Sequence, residues 1–151
     1  FNDTAPTTAV FSVGTDAMVN QSTKAIEAYC FAEVQGFSKF GFYSGTGNVR
    51  GTKVYCGFKP KYVLIKSIGG TDDWASKISG LTGFGLGGQR TRNVRYNSDT
   101  CQTTANIQFE GNGFRCATTS TYCNQEDTKY VYMAFAEMPM VGSNGTIALA
   151  T

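Results

Sequence analysis

The sequence predicts an all-β fold, an antiparallel β-sandwich or jelly roll with no significant helix. Three observations predict it. Short segments of alternating apolar and polar residues recur at close spacing, separated by clusters of Gly, Pro, Asn and Ser; that is the pattern of short strands joined by tight turns. The composition agrees, with 18 Gly, 11 Phe and 8 Tyr in 151 residues and only 16% charged residues, since aromatic side chains suit a pleated surface and helices use more long charged residues. No stretch carries the apolar stripe of an amphipathic helix. Seven or more such strands bury their apolar faces by packing as two sheets.

Taken in order, residues 1–9 read as a polar loop, Val10–Gly14 as a short strand and Thr15–Lys24 as a polar turn region. Ala25–Val34 alternates strictly: Ile26, Ala28, Cys30 and Ala32 oppose Glu27, Tyr29, Phe31 and Glu33, as a half-buried strand requires. Gly36 breaks it. A strand is expected over Phe37–Tyr43, then a turn over Ser44–Asn48, and further strands over Thr52–Phe58 and Tyr62–Ile68. Pro60 fits the edge or first residue of the latter, where its missing N–H removes no ladder bond. Gly69–Gly88 is irregular and Gln89–Thr104 is a polar, basic loop. Ala105–Phe109 and Phe114–Ala117 flank Glu110-Gly111-Asn112-Gly113, a hairpin signal. Lys129–Met138 is the last strand; Pro139 stops it, and the tail after it is rich in Gly, Ser, Asn and Ala. This last strand is apolar on both faces, Tyr130, Tyr132, Ala134 and Ala136 against Val131, Met133 and Phe135. It is therefore expected to be central, covered on both sides by a second sheet, a long loop or a neighbouring subunit.

That last strand has a copy. Phe31-Ala32-Glu33 and Phe135-Ala136-Glu137 lie about a hundred residues apart, and each is preceded at the same distance by Asn-Gln, Asn20-Gln21 and Asn124-Gln125. Recurrence of this kind marks a repeated module. Residues 1–35 are accordingly expected to be the C-terminal part of a preceding module or a strand packed on the next, residues 36–139 a complete β-sandwich module, and residues 140–151 a C-terminal tail. Equivalent positions in a repeat assign Glu33 and Glu137 a structural role, such as closing a strand end or pairing with a lysine.

Composition also excludes chemistry. There is no His, which removes Ser-His-Asp and Cys-His catalysis and His-based zinc sites. The five cysteines lack C-x-x-C spacing, so neither a metal nor a cofactor is expected. Five is odd, so at least one thiol is free or paired outside the chain. Cys30 and Cys56 sit in apolar strand patterns and are expected in the core; Cys101, Cys116 and Cys123 lie in more polar sequence, where one disulfide is conceivable. A net charge of +2 is too small to argue for nucleic acid, and no apolar run approaches the ~20 residues of a membrane helix.

Candidate binding residues remain. Arg90, Arg92 and Arg95 cluster with Tyr96, a combination suited to phosphate or an acidic sugar. Trp74, the only Trp, follows Asp72-Asp73 and is a core or platform residue. Adjacent carboxylates do not make a glycosidase pair. Gly83-Phe84-Gly85-Leu86-Gly87-Gly88 fits G-x-G-x-x-G, but without a strand before it and a helix after it the pattern is a loop.

Three stretches carry a family resemblance: Tyr29-Cys30-Phe31-Ala32-Glu33-Val34 with Gly36-Phe37-Ser38-Lys39-Phe40-Gly41, then Tyr55-Cys56-Gly57-Phe58-Lys59-Pro60 with Tyr62-Val63, then Tyr130–Pro139. Together they resemble a repeated domain of bacteriophage tail-fibre and related virion surface proteins of the marine and cyanobacterial type. The opening Asn2–Gly14 resembles the end of such a copy, and Pro139–Gly145 the C-terminal ends of such chains. The resemblance implies a lectin-like β-sandwich in a homo-oligomeric virion component that contacts other virion subunits and a host cell-surface glycan or protein. It implies no catalytic residues. It does not extend over Gly69–Thr104, the stretch that holds Trp74 and the arginines, and a variable stretch on a shared scaffold is where partner specificity resides. The expected function is thus non-enzymatic host attachment, with a self-assembling decoration or filament subunit, or a secreted carbohydrate-binding module, as the alternatives.

Overall fold

The computed structural model describes residues 4–80, 94–95 and 106–139. The chain divides into two compact units, Phe1–Phe31 and Ala32–Thr151. Among its described residues the first has one regular element, the single helical turn α1 (Ala17–Asn20), capped by the Asp16 carboxylate, which accepts the Met18 N–H at 2.8 Å. Two strand expectations fail in this region. Neither Val10–Gly14 nor Ala25–Val34 is a strand; the latter contributes only an isolated bridge between Val34 and Ser38. Alternation makes a segment suitable for a sheet, but a strand exists only where backbone partners complete its ladder. Cys30, expected in the core, is exposed for the same reason.

The second unit contains β1 (Ser38–Ser44), β2 (Lys53–Tyr55), β3 (Pro60–Ser67), β4 (Ala75–Ile78), β5 (Val94–Arg95), β6 (Ile107–Glu110), β7 (Gly113–Cys116) and β8 (Lys129–Ala136). They form two antiparallel sheets, β1-β8-β3-β4-β5 and β2-β7-β6. The fold is an all-β sandwich. Pro60 is the first residue of β3, and Gly113 opens the return strand of the expected hairpin. β4 was not legible in Ala75-Ser76-Lys77-Ile78, because a lysine stands where the alternation wants an apolar residue. Lys77 pairs with Val63 and so points inward; its ammonium donates to the Ile107 carbonyl and lies 5.3 Å from the centre of the Phe109 ring. Burial pushes its pKa down.

β8 is hydrogen-bonded on both sides, with Val131 opposite Phe42 of β1 and Tyr132 opposite Ile65 of β3. Its inward residues Tyr130, Tyr132 and Ala134 join Tyr43, Val63 and Ile65 of the same sheet against Val54, Ile107, Phe114 and Cys116 of the other. Phe114 is wholly buried, edge-on to Tyr132 at 5.3 Å and to Tyr43 at 6.1 Å, geometry that adds to the burial of its ring. The close approach of the chain at β7 requires glycine at Gly51, where φ is +59° and a Cβ would lie 1.6 Å from the Cys116 carbonyl oxygen.

The outward face of the larger sheet is only partly covered. Phe40, Met133, Phe135, Tyr62, Leu64 and Ile78 are half-buried, while Phe42 is 76% and Val131 41% exposed. β8 is therefore covered by the second sheet on one face only.

Candidate functional site

Three connections meet where β8 ends. The Gly57–Lys59 link between β2 and β3, the Gly111 turn between β6 and β7, and Gly36 surround Glu137 and Met138, leaving a groove of about 280 Å³ that Phe58 also lines. Its polar centre is Glu137. One carboxylate oxygen accepts from the Lys59 ammonium at 2.6 Å, the other from the Ser79 hydroxyl at 2.9 Å. The backbone repeats the tie, Glu137 N–H donating to Lys59 C=O at 2.8 Å. Lys59 first, and then Ser79, hold the Glu137 carboxyl below its ordinary range. The groove thus offers a fixed negative and a fixed positive group, exposed glycine backbone, an aromatic ring and the 81% exposed Met138. Its size suits one small ring rather than a drug-sized ligand. A single carboxylate kept ionised by a lysine is a hydrogen-bond acceptor and not a proton donor at neutral pH.

Glu33, the copy of Glu137, also pairs with a lysine, Lys39, at 2.6 Å. The lysine pairing expected for both glutamates is present in both places. Sequence reasoning missed the groove itself; the repeat marked Glu137, but nothing in the sequence placed Lys59 and Ser79 beside it.

The predicted binding residues stand elsewhere. Trp74, 38% exposed, directly precedes β4. Arg95, expected in a loop, lies in β5 and pairs with Ala75, so the backbone brings Arg95 next to the Trp74 end of the sheet. That end is opposite the groove, since β4 runs from Ala75 to Ile78 and Ser79 then meets Glu137. Beside Trp74, Lys66 Nζ donates to the Asp72 carbonyl, and the Asp72 carboxylate accepts from the Thr121 hydroxyl at 3.0 Å. Asp72 thus joins the loop before β4 to the loop before β8. Arg90, Arg92 and Tyr96, like the Gly83–Gly88 run and Cys101, lie outside the described residues. Cys56, Cys116 and Cys123 are buried free thiols; the expected core place of Cys56 holds, and no disulfide joins Cys116 to Cys123. Among the described residues no group of three or more Cys, Asp or Glu could hold a metal ion, and no helix is long and apolar enough to cross a membrane.

One protein family, described as a domain of unknown function (DUF7483), matches residues 1–139. The chain belongs to this family. The match runs through both compact units and the groove, so residues 1–31 are part of what the family shares. No curated protein and no solved structure matches the chain.

Proposed function

We propose that this chain is a non-enzymatic virion structural module, tail-fibre-like, that attaches to a host cell-surface glycan or protein through the loop ends of its sandwich. The observation that carries this reading is the groove at the end of β8, where an ion pair, a hydroxyl, open glycine backbone and two apolar side chains converge on a site for one small ring. Sugars present both hydroxyls and an apolar face, and such a surface meets both. One groove of this size binds weakly, and attachment then depends on several copies held together in a homo-oligomer. The resemblance to phage tail-fibre domains supports the same reading.

The test is binding of the full chain, displayed multivalently, to an array of bacterial surface polysaccharides and to host-envelope proteins. Binding is expected, with Lys59→Ala lowering it at least tenfold while the melting curve stays cooperative. Trp74→Ala reports separately on the opposite end. Absence of binding on every surface under multivalent display overturns the proposal.

A second reading, a self-assembling structural subunit, has its own observation. The outward face of the larger sheet carries exposed Phe42 and Val131 among half-buried apolar neighbours, a surface suited to packing against another subunit.

A further inference from the structure

The open edge of the larger sheet and the copy of β8 match one another. β1 is an edge strand, paired along its length with β8. Phe37 C=O accepts from the Ala136 N–H and Gly45 N–H donates to Thr128 C=O, so the alternate residues Ser38, Phe40 and Phe42 turn their main chain away from β8. On that side the described residues supply a single rung, Val34 with Ser38. Gly36, at φ +74°, turns the chain there. Ser38 N–H donates to Val34 C=O at 2.8 Å, Val34 N–H donates to Ser38 Oγ at 3.0 Å, and Lys39 Nζ lies 2.6 Å from the Glu33 carboxylate. This rung sets a register. Continued antiparallel, it puts Glu33 opposite Lys39, Ala32 opposite Phe40, Phe31 opposite Gly41 and Cys30 opposite Phe42. Both faces suit it. Ala32 and Cys30 extend the apolar outer face at Phe40 and Phe42. Phe31 meets Gly41 where the Tyr132 ring lies over that glycine, a Cβ at Gly41 being 3.0 Å from the ring, so aromatic faces aromatic across the edge. Lysines guard natural sheet edges, and the lysine of β1 is already neutralised by Glu33. In one chain the ladder nevertheless stops at its first rung: Ala25–Phe31 forms no strand, and Tyr29 is 80% and Phe31 57% exposed.

We propose that Ala25–Val34 is an exchanged strand: in a dimer of this chain it adds to the open edge of β1 in the second copy, in the register just given, and the second copy returns the same contact. The occupant of the edge is a second copy because donor and acceptor both belong to this chain. Within one chain they share one rung only, and they match in charge at Glu33 and Lys39 and in apolar character on both faces. The family match spans residues 1–139, so the donor segment is part of the shared domain. The exchange is isologous, as a two-fold dimer requires, and opens the chain only at the Gln35-Gly36 turn. The Glu33–Lys39 pair is kept, now between chains. Strand addition of this kind draws affinity from main-chain hydrogen bonds and specificity from alternate side chains. It assembles the protein through the edge of the sheet rather than through its outward face.

The test follows the full chain in reducing buffer by light scattering and by residue-resolved amide hydrogen exchange, from micromolar to millimolar concentration. A dimer is expected to form as concentration rises. In it, exchange at the Cys30 and Phe42 amides is expected to slow by roughly tenfold or more, while the Tyr29 amide stays fast, because only alternate amides enter one ladder. Packing through the outward face would not produce that alternation. Cys30→Ser is expected to dimerise like the wild type, which separates strand exchange from a disulfide through this exposed thiol. Cys30→Pro removes one ladder N–H at an exposed position and is expected to be monomeric with an unchanged near-ultraviolet circular dichroism spectrum. If that variant does not fold, the alternating protection in the wild-type chain decides by itself. A wild-type chain that stays monomeric at millimolar concentration, a dimer without the alternating protection, the same protection in the monomer, or a folded Cys30→Pro dimer overturns the proposal.

Discussion

Asn124 is the residue on which the loops at one end of the sandwich converge. It is wholly buried, and its side chain uses all its polar capacity. Oδ1 accepts from the Thr46 N–H at 2.9 Å and from the Thr52 hydroxyl at 3.3 Å, while Nδ2 donates to the carbonyls of Asn48 at 2.9 Å and Thr118 at 2.6 Å. The connection between β1 and β2 is thereby joined to the chain between β7 and β8. Nearby, the Tyr130 hydroxyl donates to the Thr121 carbonyl at 2.6 Å and accepts the Gln125 N–H at 2.9 Å. Replacing the wholly buried Asn124 by alanine removes these four part-buried hydrogen bonds at once, so Asn124→Ala is expected to destabilise the chain by roughly 2–4 kcal/mol in urea or thermal unfolding. A loss under ~0.5 kcal/mol would show that water replaces these bonds. The repeat pointed to Asn124-Gln125 as a pair worth noticing. It did not reveal the hub, because the partners of a buried amide are set by which loops the fold brings together.

At the scale of elements, β8 and its copy separate pattern from partner. Lys129–Ala136 and Ala25–Val34 share alternation and the Phe-Ala-Glu end. The first is a strand because β1 and β3 complete its ladder; the second has only the Val34–Ser38 bridge. The sequence also marked β8 as apolar on both faces. The second sheet covers the inner face, and the outer face continues into Phe40 and Phe42 of β1 and Tyr62 and Leu64 of β3. If subunits pack on this face, the wild-type chain is expected to run as an oligomer in light scattering at micromolar concentration. The double change Phe42→Ser and Val131→Ser is then expected to yield monomers with an unchanged circular dichroism spectrum. A monomeric wild type, or an oligomer unaffected by the double change, would remove this face from the assembly.

Across the whole molecule, lysine–carboxylate pairs sit on the polar edges of an apolar sandwich. Lys39 holds Glu33, Lys59 holds Glu137, and Glu110 takes Lys53 at 2.7 Å and Arg115 at 2.8 Å. In each case the lysine hydrogen bond is the largest cause that brings the carboxyl below its ordinary 4.5. A pKa lower in the folded than in the unfolded chain means that the unfolded chain binds more protons as pH falls. These pairs therefore contribute stability above about pH 4.5 that is lost as pH falls through the depressed values. Melting temperature is expected to fall on acidification below pH 4.5, and less steeply in a Glu110→Gln, Glu137→Gln double variant. Equal acid slopes in the two proteins would contradict this assignment.

By itself the sequence determined the class of fold, most of the strands, the face each presents and the chemistry that absent histidines exclude. Those follow from local alternation, turn residues and composition, which every short window of the chain carries. The tertiary structure decided which alternating segment became a strand, where Lys77 could be buried, and that Glu137 would meet Lys59 and Ser79 in a groove. These depend on ladders and contacts between segments far apart in the chain, and no local pattern encodes the partner.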